Sequence, residues 1–152
     1  VVDDIGSLQQ YHSSKSDFMV AESVLRTLPG RLQKQQDAFS QTGGLHASAL
    51  FDQQGSILSL FEDVGRHNAL DKLIGRELQN NNLPLFQSGL ILSGRTSFEL
   101  IHKAALAGIP VVVSIGAPSS LAVDAAWEYE ITLAGFLQAD RFNIYSFPRR
   151  IN

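Results

Sequence analysis

The sequence predicts an α/β domain in which an antiparallel hairpin feeds a mixed, largely parallel sheet. Short apolar runs alternate with helix-like segments after residue 56, and polar turns separate them. One apolar run, at residues 111–113, consists of three consecutive valines, which is typical of a strand covered on both faces. Strands that alternate with helices need crossover connections, which are right-handed, so neighbouring strands of this kind run parallel.

Two helices are expected before the sheet. Ser16 or Asp17 can cap the first helix, and the pair Pro29-Gly30 is expected to end it. Its apolar stripe contains Val20, Val24, Leu25 and Leu28. A second, mostly polar helix is predicted at residues 31–39. Residues 1–15 are expected to form a linker or a frayed arm.

The remaining elements are separated by short turns. The hairpin is predicted at residues 45–51 and 56–61, with its turn at 52–55. One helix begins after Gly65, the next follows Ser97 and is capped by Gly108, and a third runs from Ser119 to about Trp127. The first of these helices ends at the asparagines 80–82. Further strands are predicted at residues 89–93, 110–114, 131–134 and 142–147.

Composition and charge exclude several classes of function. The chain has 152 residues, a net charge of -3 and no cysteine. A general nucleic-acid-binding protein normally has a basic surplus, so the charge argues against that partner. The absence of cysteine removes disulfides, thiolate zinc ligands and cysteine nucleophiles. No apolar run is long enough for a membrane span, and no signal sequence opens the chain. Because the first residue is Val1 rather than Met, a piece of a longer protein is expected.

Three polar turns follow predicted strands, at residues 62–67, 93–97 and 114–120. Ligands of such sheets bind outside the carboxyl ends of the strands, so the three turns are expected to converge at one edge. In the first turn, Gly65 is expected to adopt a backbone angle that other residues resist, and Arg66 and His67 open the following helix. This geometry aims backbone N–H groups at an anion. The alternative for the first turn is a charged turn with incidental ion pairs. The alternative for residues 93–97 is an ordinary Ser/Thr-capped helix whose Arg95 pairs with Asp63.

Two catalytic chemistries compete with an anion site. The order of hairpin, helix, strand and helix is similar to that of zinc deaminases, but residues 93–95 are Ser-Gly-Arg where those enzymes need zinc thiolates. No metal is therefore expected. A serine hydrolase is not expected either, because no Gly-x-Ser-x-Gly motif occurs. Trp127 and the phenylalanines are interpreted as core residues.

Three longer motifs occur in order along the chain. They are Thr-Gly-Gly-Leu-His-Ala-Ser-Ala at 42–49, Glu-Asp-Val-Gly-Arg-His-Asn-Ala-Leu-Asp-Lys at 62–72 and Ser-Gly-Arg-Thr-Ser at 93–97. Over about residues 41–150 they resemble the FdhD family of accessory sulfurtransferases for formate dehydrogenase. The resemblance implies a cytidine deaminase-like three-layer fold, a cytoplasmic location and a homodimer. It divides the chain into an N-terminal arm with helices (1–40), linked to a missing upstream region, and a deaminase-like cofactor-binding domain (41–152).

The resemblance also implies a function in sulfur traffic. Family members are sulfur carriers that accept a persulfide sulfur from a cysteine desulfurase. They pass it to the molybdenum or tungsten bis(molybdopterin guanine dinucleotide) cofactor of formate dehydrogenase, and GDP is a partial mimic of that cofactor. A thiolate or persulfide is needed to carry sulfur, so this cysteine-free chain alone is expected to be inactive. The sulfur-carrying cysteines are expected to lie outside it, and no catalytic residue is expected within it.

Cofactor contacts are expected from the polar turns and from a loop near the end of the sequence. In that loop, Asp140 stands where the family usually has glycine, and its charge weakens phosphate binding. The candidate contacts in and beside the turns are His46, Glu62, Asp63, Arg66, His67, Ser93, Gly94, Arg95 and Ser97. Those in the loop are Phe136, Leu137, Gln138, Ala139, Asp140 and Arg141. The acids Glu62 and Asp63 are expected to accept from a guanine N–H or to orient the arginines.

Two other functions stay open at the level of the sequence. The first is a deaminase-like hydrolase of a nucleoside-type substrate, which stoichiometric zinc in the purified protein would support. The second is a structural dimerisation domain without a ligand, for which no binding of guanine nucleotides is expected.

Overall fold

A computed structural model describes residues 15–39 and 45–152. Residues 1–14 of the arm expected at 1–15, and the glycine pair at 43–44, lie outside the described residues. The elements in chain order are α1 (Glu22–Leu25), α2 (Leu28–Phe39), β1 (His46–Phe51), β2 (Ile57–Asp63), α3 (Arg66–Gln79), β3 (Gly89–Leu92), α4 (Phe98–Leu106), β4 (Val111–Ser114), α5 (Ser120–Glu128), β5 (Thr132–Gly135), β6 (Asn143–Ser146) and a short 3₁₀ helix (Pro148–Arg150).

The strands form a six-stranded mixed sheet in the order β2-β1-β3-β4-β5-β6. β1 is antiparallel to both β2 and β3, whereas β3, β4 and β5 are parallel and β6 is antiparallel to β5. The predicted hairpin that feeds parallel strands is therefore confirmed. Because β1 is antiparallel to both of its neighbours, β2 runs in the same direction as β3, β4 and β5. Their carboxyl ends share one edge of the sheet, and β1 begins at that edge.

Helices cover both faces of the sheet, which gives the expected three layers. Leu70, Leu73 and Ile74 of α3 share one core cluster with apolar residues of α4 and α5. The other face is covered by α1, α2 and the residues before them, through Phe18 and Leu25 among others. The valines of β4 alternate between the two clusters, with Val112 in the first and Val111 and Val113 in the second. This alternation explains why that strand is apolar at consecutive positions.

The boundaries of the first two helices differ from the prediction. α1 has only four residues, and α2 begins at Leu28 and runs through Pro29 and Gly30. Proline is tolerated in a first helical turn because its missing N–H has no intrahelical partner there, so the predicted stop at Pro29-Gly30 is wrong. Ser16 does not cap a helix. Its hydroxyl donates to the carbonyl of Phe86, and its Oγ accepts from the N–H of Phe18.

Residues near the two ends of the described chain pair with each other. Val20 forms a parallel bridge with Ile151, and the N–H of Val20 donates to the carbonyl of Arg150 at 2.9 Å. The N–H of Glu22 donates to the carbonyl of Asn152 at 2.8 Å. These bonds attach the start of α1 and the residue pair before it to residues 150–152, which follow the last strand. A domain boundary at residue 40 remains a prediction.

Several aromatic residues interpreted as core lie at the surface. Trp127 is 52% exposed and contacts the ring of Phe147 edge-on, and Phe98 and Phe136 are also exposed. Phe18 and Phe51 are fully buried as expected. The interpretation of Trp127 as core is wrong because its partner lies in a later turn rather than under the sheet. None of the helices over residues 15–39 and 45–152 has the length and apolar character that a membrane span requires.

Candidate anion-binding site

The start of β1 lies between the polar turns that follow β2 and β3. His46 is opposite Asp63 in the β1–β2 ladder. On the other side, the N–H of Ala47 donates to Ser93 Oγ at 2.8 Å, and the N–H of Ser93 donates to the carbonyl of Ala47 at 3.0 Å. Ser93 is therefore engaged with the sheet and holds its own turn in place.

The turns after β3 and β4 are joined by backbone hydrogen bonds. The N–H of Gly116 donates to the carbonyl of Gly94 at 3.1 Å, that of Thr96 to Ala117 at 3.2 Å, and that of Ser119 to Thr96 at 3.0 Å. The predicted convergence of these two turns is thus confirmed. We call the surface formed by residues 62–67, 93–99 and 114–120 the cradle.

The turn after β2 reaches the cradle through the N-terminus of α3. His67 Nε2 lies 3.3 Å from Ser97 Oγ, and the same Oγ caps α4 by accepting from the N–H of Leu100. The pKa of the Glu99 carboxyl is lowered by its own backbone N–H, by the Ser97 hydroxyl and by the positive potential of His67 and Arg66. Arg66 directly precedes His67 at the start of α3, so it lies at the end of the helix that contacts the turn containing Arg95.

Asp63 fixes the shape of its turn. Its Oδ1 pairs with Lys72 Nζ at 2.7 Å, and its Oδ2 accepts from the N–H of Gly65 at 2.8 Å and from the amide of Asn68. These contacts, with Lys72 first, lower the pKa of Asp63 to about 2. The alternative in which Asp63 pairs with Arg95 is wrong. Gly65 has φ -105° and ψ 126°, an extended conformation open to any residue, so the backbone angle expected there is also wrong.

Arg95 presents an unpaired cation at the cradle. It is exposed, and its guanidinium has no hydrogen bond or ion pair with the part of the chain that the structure describes. Its stem passes close to Gly116, where an added Cβ would lie 3.0 Å from Arg95 Cγ. A side chain at residue 116 would therefore displace Arg95. Gly94 has a similar role, since its Cβ would lie 3.1 Å from His46 Nδ1.

The loop at 136–141 joins the cradle only at its beginning. The N–H groups of Phe136 and Leu137 donate to the carbonyls of Gly116 and Ser114, both at 3.1 Å. Leu137 is 1% exposed and belongs to the core, so its side chain is unavailable and only its backbone could meet a ligand. The four residues that follow are exposed, namely Gln138, Ala139, Asp140 and Arg141.

Two functional candidates were missed by sequence reasoning. Thr96 is 1% exposed, and its Oγ1 is buried without a hydrogen-bond partner among the described residues. Glu99 lies in the first turn of α4, where the positive potential of His67 and Arg66 acts on its carboxyl. An acid directly after a capping serine is a visible signal, whereas the burial of Thr96 depends on the turn after β4. Within residues 15–39 and 45–152, no three acidic or histidine side chains come together as metal ligands.

The fold belongs to the class of deaminase-like α/β proteins. The solved guanine deaminase from Nitrosomonas europaea is similar at a TM-score of 0.56 and 10% identity, covering 84% of this chain and 84% of that one. Identity at this level shows a shared fold alone. A formate dehydrogenase accessory protein from Desulfotalea psychrophila is similar at a TM-score of 0.79 and 29% identity, covering 90% of this chain and 61% of that chain.

The sequence comparisons narrow this class to one family. The FdhD/NarQ family model matches residues 2–152, and the chain belongs to that family. The sulfur carrier protein FdhD of Streptomyces coelicolor is 54% identical over 132 residues, covering 87% of this chain and 47% of the relative. That of Nocardia farcinica is 45% identical over 150 residues, covering 99% and 54%. The chain therefore spans about half the length of these curated relatives.

Proposed function

We propose that this domain holds the cofactor in a sulfur carrier protein for formate dehydrogenase. In this proposal the cradle grips the guanine-dinucleotide phosphates of a molybdenum or tungsten bis(molybdopterin guanine dinucleotide). The observation that carries the proposal is the unpaired Arg95 guanidinium beside two helix N-termini, those of α3 and α4. The names of the relatives support the sulfur carrier role, and the geometry of the cradle supports the anion.

The N-terminus of α3 supports an anionic ligand in particular. The first N–H groups of any helix lack intrahelical partners and are usually satisfied by a capping side chain or by a ligand. Among the residues that the structure describes, no side chain caps α3, and its first turn contains no acid. Arg66 and His67 stand there instead, so a phosphate would meet both the helix dipole and two side-chain donors.

The polar groups of the cradle fit a dinucleotide in distinct ways. Arg95 can donate two parallel hydrogen bonds to one phosphate. Asp63 is fully engaged with Lys72, Gly65 and Asn68. Glu62 Oε2 accepts from the side-chain amide of Gln36 at 3.3 Å, which leaves its Oε1 to accept from a guanine N–H. When bound, the cofactor supplies the metal atom that receives the sulfur.

The sulfur itself needs a thiolate that this chain lacks. Only a cysteine persulfide carries sulfur in this way, and there is no cysteine among the 152 residues. Binding and orienting the cofactor is therefore the contribution of these residues. The proposal further includes a cysteine desulfurase as donor, formate dehydrogenase as recipient and a second copy of the chain as partner.

Calorimetric titration with GDP tests the proposal. Replacing Arg95 by Ala removes a charged hydrogen bond and is expected to cost about 1.5–3 kcal/mol, roughly 10- to 150-fold in Kd. Arg76→Ala is the matched control, because Arg76 is an exposed arginine in the last turn of α3, away from the cradle. An Arg95→Ala variant that binds GDP like the wild type would exclude Arg95. Absence of GDP binding by the wild type would favour the ligand-free dimerisation domain.

A further inference from the structure

A cavity lies at the edge of the sheet opposite the cradle. β1 begins at the cradle with His46 and reaches the other edge at its far end, where Leu50 lines a cavity of about 580 Å³. This volume is within the roughly 300–1,000 Å³ of small-molecule sites. Its wall combines the apolar Leu50, Leu58, Leu85 and Phe86 with the polar Glu77 and Asn82.

The carboxylate of Glu77 is buried without a counter-charge. Glu77 is 9% exposed, and its Oε2 accepts from the side-chain amide of Asn82 at 2.6 Å. In the chain at 15–39 and 45–152, no lysine, arginine or histidine forms an ion pair with it. A buried carboxylate normally has a cationic partner, because one neutral hydrogen bond does not replace the water that an ionised group loses.

The position of Glu77 along α3 adds to this cost. It lies in the last turn of Arg66–Gln79, where the helix dipole is negative and a carboxylate is repelled. Arg76 in the same turn is favourably placed but exposed. The acid is thus unfavourable both for its burial and for its place in the helix, which is expected of a group retained for a ligand rather than for stability.

The cavity wall is held in place from several directions. The N–H of Leu85 donates to the carbonyl of Ala107 at 2.8 Å, and the side chain of Gln87 donates to Asp17 at 2.7 Å. The Ser16 hydroxyl donates to the carbonyl of Phe86. These bonds connect the segment between α3 and β3 to the end of α4 and to the residues before α1. The cavity is therefore preformed, as small-molecule sites usually are.

We infer that this cavity binds an organic cation, a primary ammonium or guanidinium group on a short apolar body. The cationic head would pair with Glu77 and donate to the amide oxygen of Asn82, while the body would lie against Leu50, Leu58 and Leu85. The ligand supplies the counter-charge that the fold omits. This site is independent of the cradle and of the function proposed for it.

The test compares two probes of similar size and shape, of which one is a cation and the other is neutral. Benzylammonium chloride and benzyl alcohol are titrated into the wild-type protein, and binding is followed by NMR chemical shifts of the residues around Glu77. Benzylammonium is expected to bind at least about tenfold more tightly, because only the cation gains a charged hydrogen bond. Saturating GDP is expected to leave that affinity unchanged. Equal binding of the two probes, or no binding of either, would overturn the inference without bearing on the cradle.

The variant Glu77→Gln gives a second test, because its Tm is expected to rise if Glu77 serves a ligand and to fall if Glu77 serves the fold. It keeps the size of the side chain and the bond from Asn82 but removes the charge. The ligand-free variant is expected to have a higher Tm than the wild type and to lose the preference for benzylammonium. A lower Tm together with an unchanged preference would mean that Glu77 serves the fold and that the cation site does not exist.

Discussion

Helices α3 and α4 lie side by side on one face of the sheet and carry their charges in opposite orders. α4 has a side-chain cap from Ser97, an acid in its first turn, Glu99, and a base in its last turn, Lys103. α3 starts with Arg66 and has Glu77 in its last turn, and the glycine before it, Gly65, has no side chain to cap the helix. The dipole of α4 is therefore matched by its side chains at both ends, whereas that of α3 is opposed at both ends, with Arg76 as a favourable exception.

This difference indicates that the charges at the ends of α4 stabilise their helix, whereas those at the ends of α3 are suited to binding ligands. Each charge that opposes a helix dipole costs about 0.3–1 kcal/mol, so the ends of α3 are not arranged for the stability of that helix. An anion at its start and a cation at its end would reverse both costs. α4 needs no such ligand and serves as the stable support for its neighbour, to which it is joined by polar contacts of His67 with Ser97 and of Asp71 with Lys103 as well as through the shared core.

The largest effect on this pair of helices is expected from Lys103→Met. Lys103 Nζ lies 2.6 Å from Asp71 Oδ1, and the two side chains are 19% and 6% exposed. Removal of the lysine leaves a buried carboxylate of α3 without a partner, which is expected to reduce the free energy of unfolding by about 3–5 kcal/mol. Urea denaturation measures this loss.

The matched control for that variant is Arg26→Met. Arg26 forms an ion pair of similar length with Glu22, 2.8 Å, but on a more exposed surface. The expected loss is below about 1 kcal/mol. Equal losses in the two variants would show that the contact between α3 and α4 is no stronger than a surface pair.

A smaller effect is expected from the capping serines. Ser97 and Ser119 each accept from a helix N–H, at 3.3 and 3.1 Å, at the start of helices of equal length. Alanine at either position is expected to cost about 1 kcal/mol of stability. Only Ser97→Ala also removes the partner of His67, so only that variant is expected to weaken GDP binding in calorimetry. Equal GDP affinities in the two variants would separate His67 from the cradle.

The smallest effect expected is the loss, at low pH, of the stability that Asp63 contributes in the turn before α3. The pKa of Asp63 is lowered to about 2, chiefly by Lys72 and by the N–H of Gly65. The ionised carboxylate therefore stabilises the fold above its ordinary pKa of about 4, and this contribution disappears as the pH falls from about 4 to about 2. The stability advantage of the wild type over Asp63→Asn is expected to shrink across that range. A constant advantage from pH 6 to pH 2 would contradict the role of Asp63.

Features with local causes could be predicted from the sequence. The valines at 111–113 lie in a strand covered on both faces. As expected, Ser119 caps the start of α5, and Gly108, with φ 80°, follows the end of α4. The polar turns could be predicted for the same reason, because each directly follows a strand. Their meeting at one edge then follows from the parallel direction of the strands.

Features that depend on distant partners could not be predicted. The shape of the turn at Gly65 is set by Asp63 and Lys72 rather than by the glycine. Glu77 looks like an ordinary helical acid until the segment after α3 covers it. The ion pair between Asp71 and Lys103 joins two helices with a strand between them in the chain. The cover over Glu77 and the ion pairs of Lys72 and Lys103 join separate elements, so no periodic pattern in the sequence indicates them.

The pairing of Val20 with Ile151 has a consequence for biosynthesis. Translation produces the segment before α1 early and its bonding partners late, and domains begin to fold while the ribosome is still adding residues. The strands and the helices α3–α5 can assemble in the meantime, but the bonds of Val20 and Glu22 form only after residues 150–152 have left the exit tunnel. A nascent chain stalled before that point would therefore lack the bonds that fix the start of α1 to those last residues.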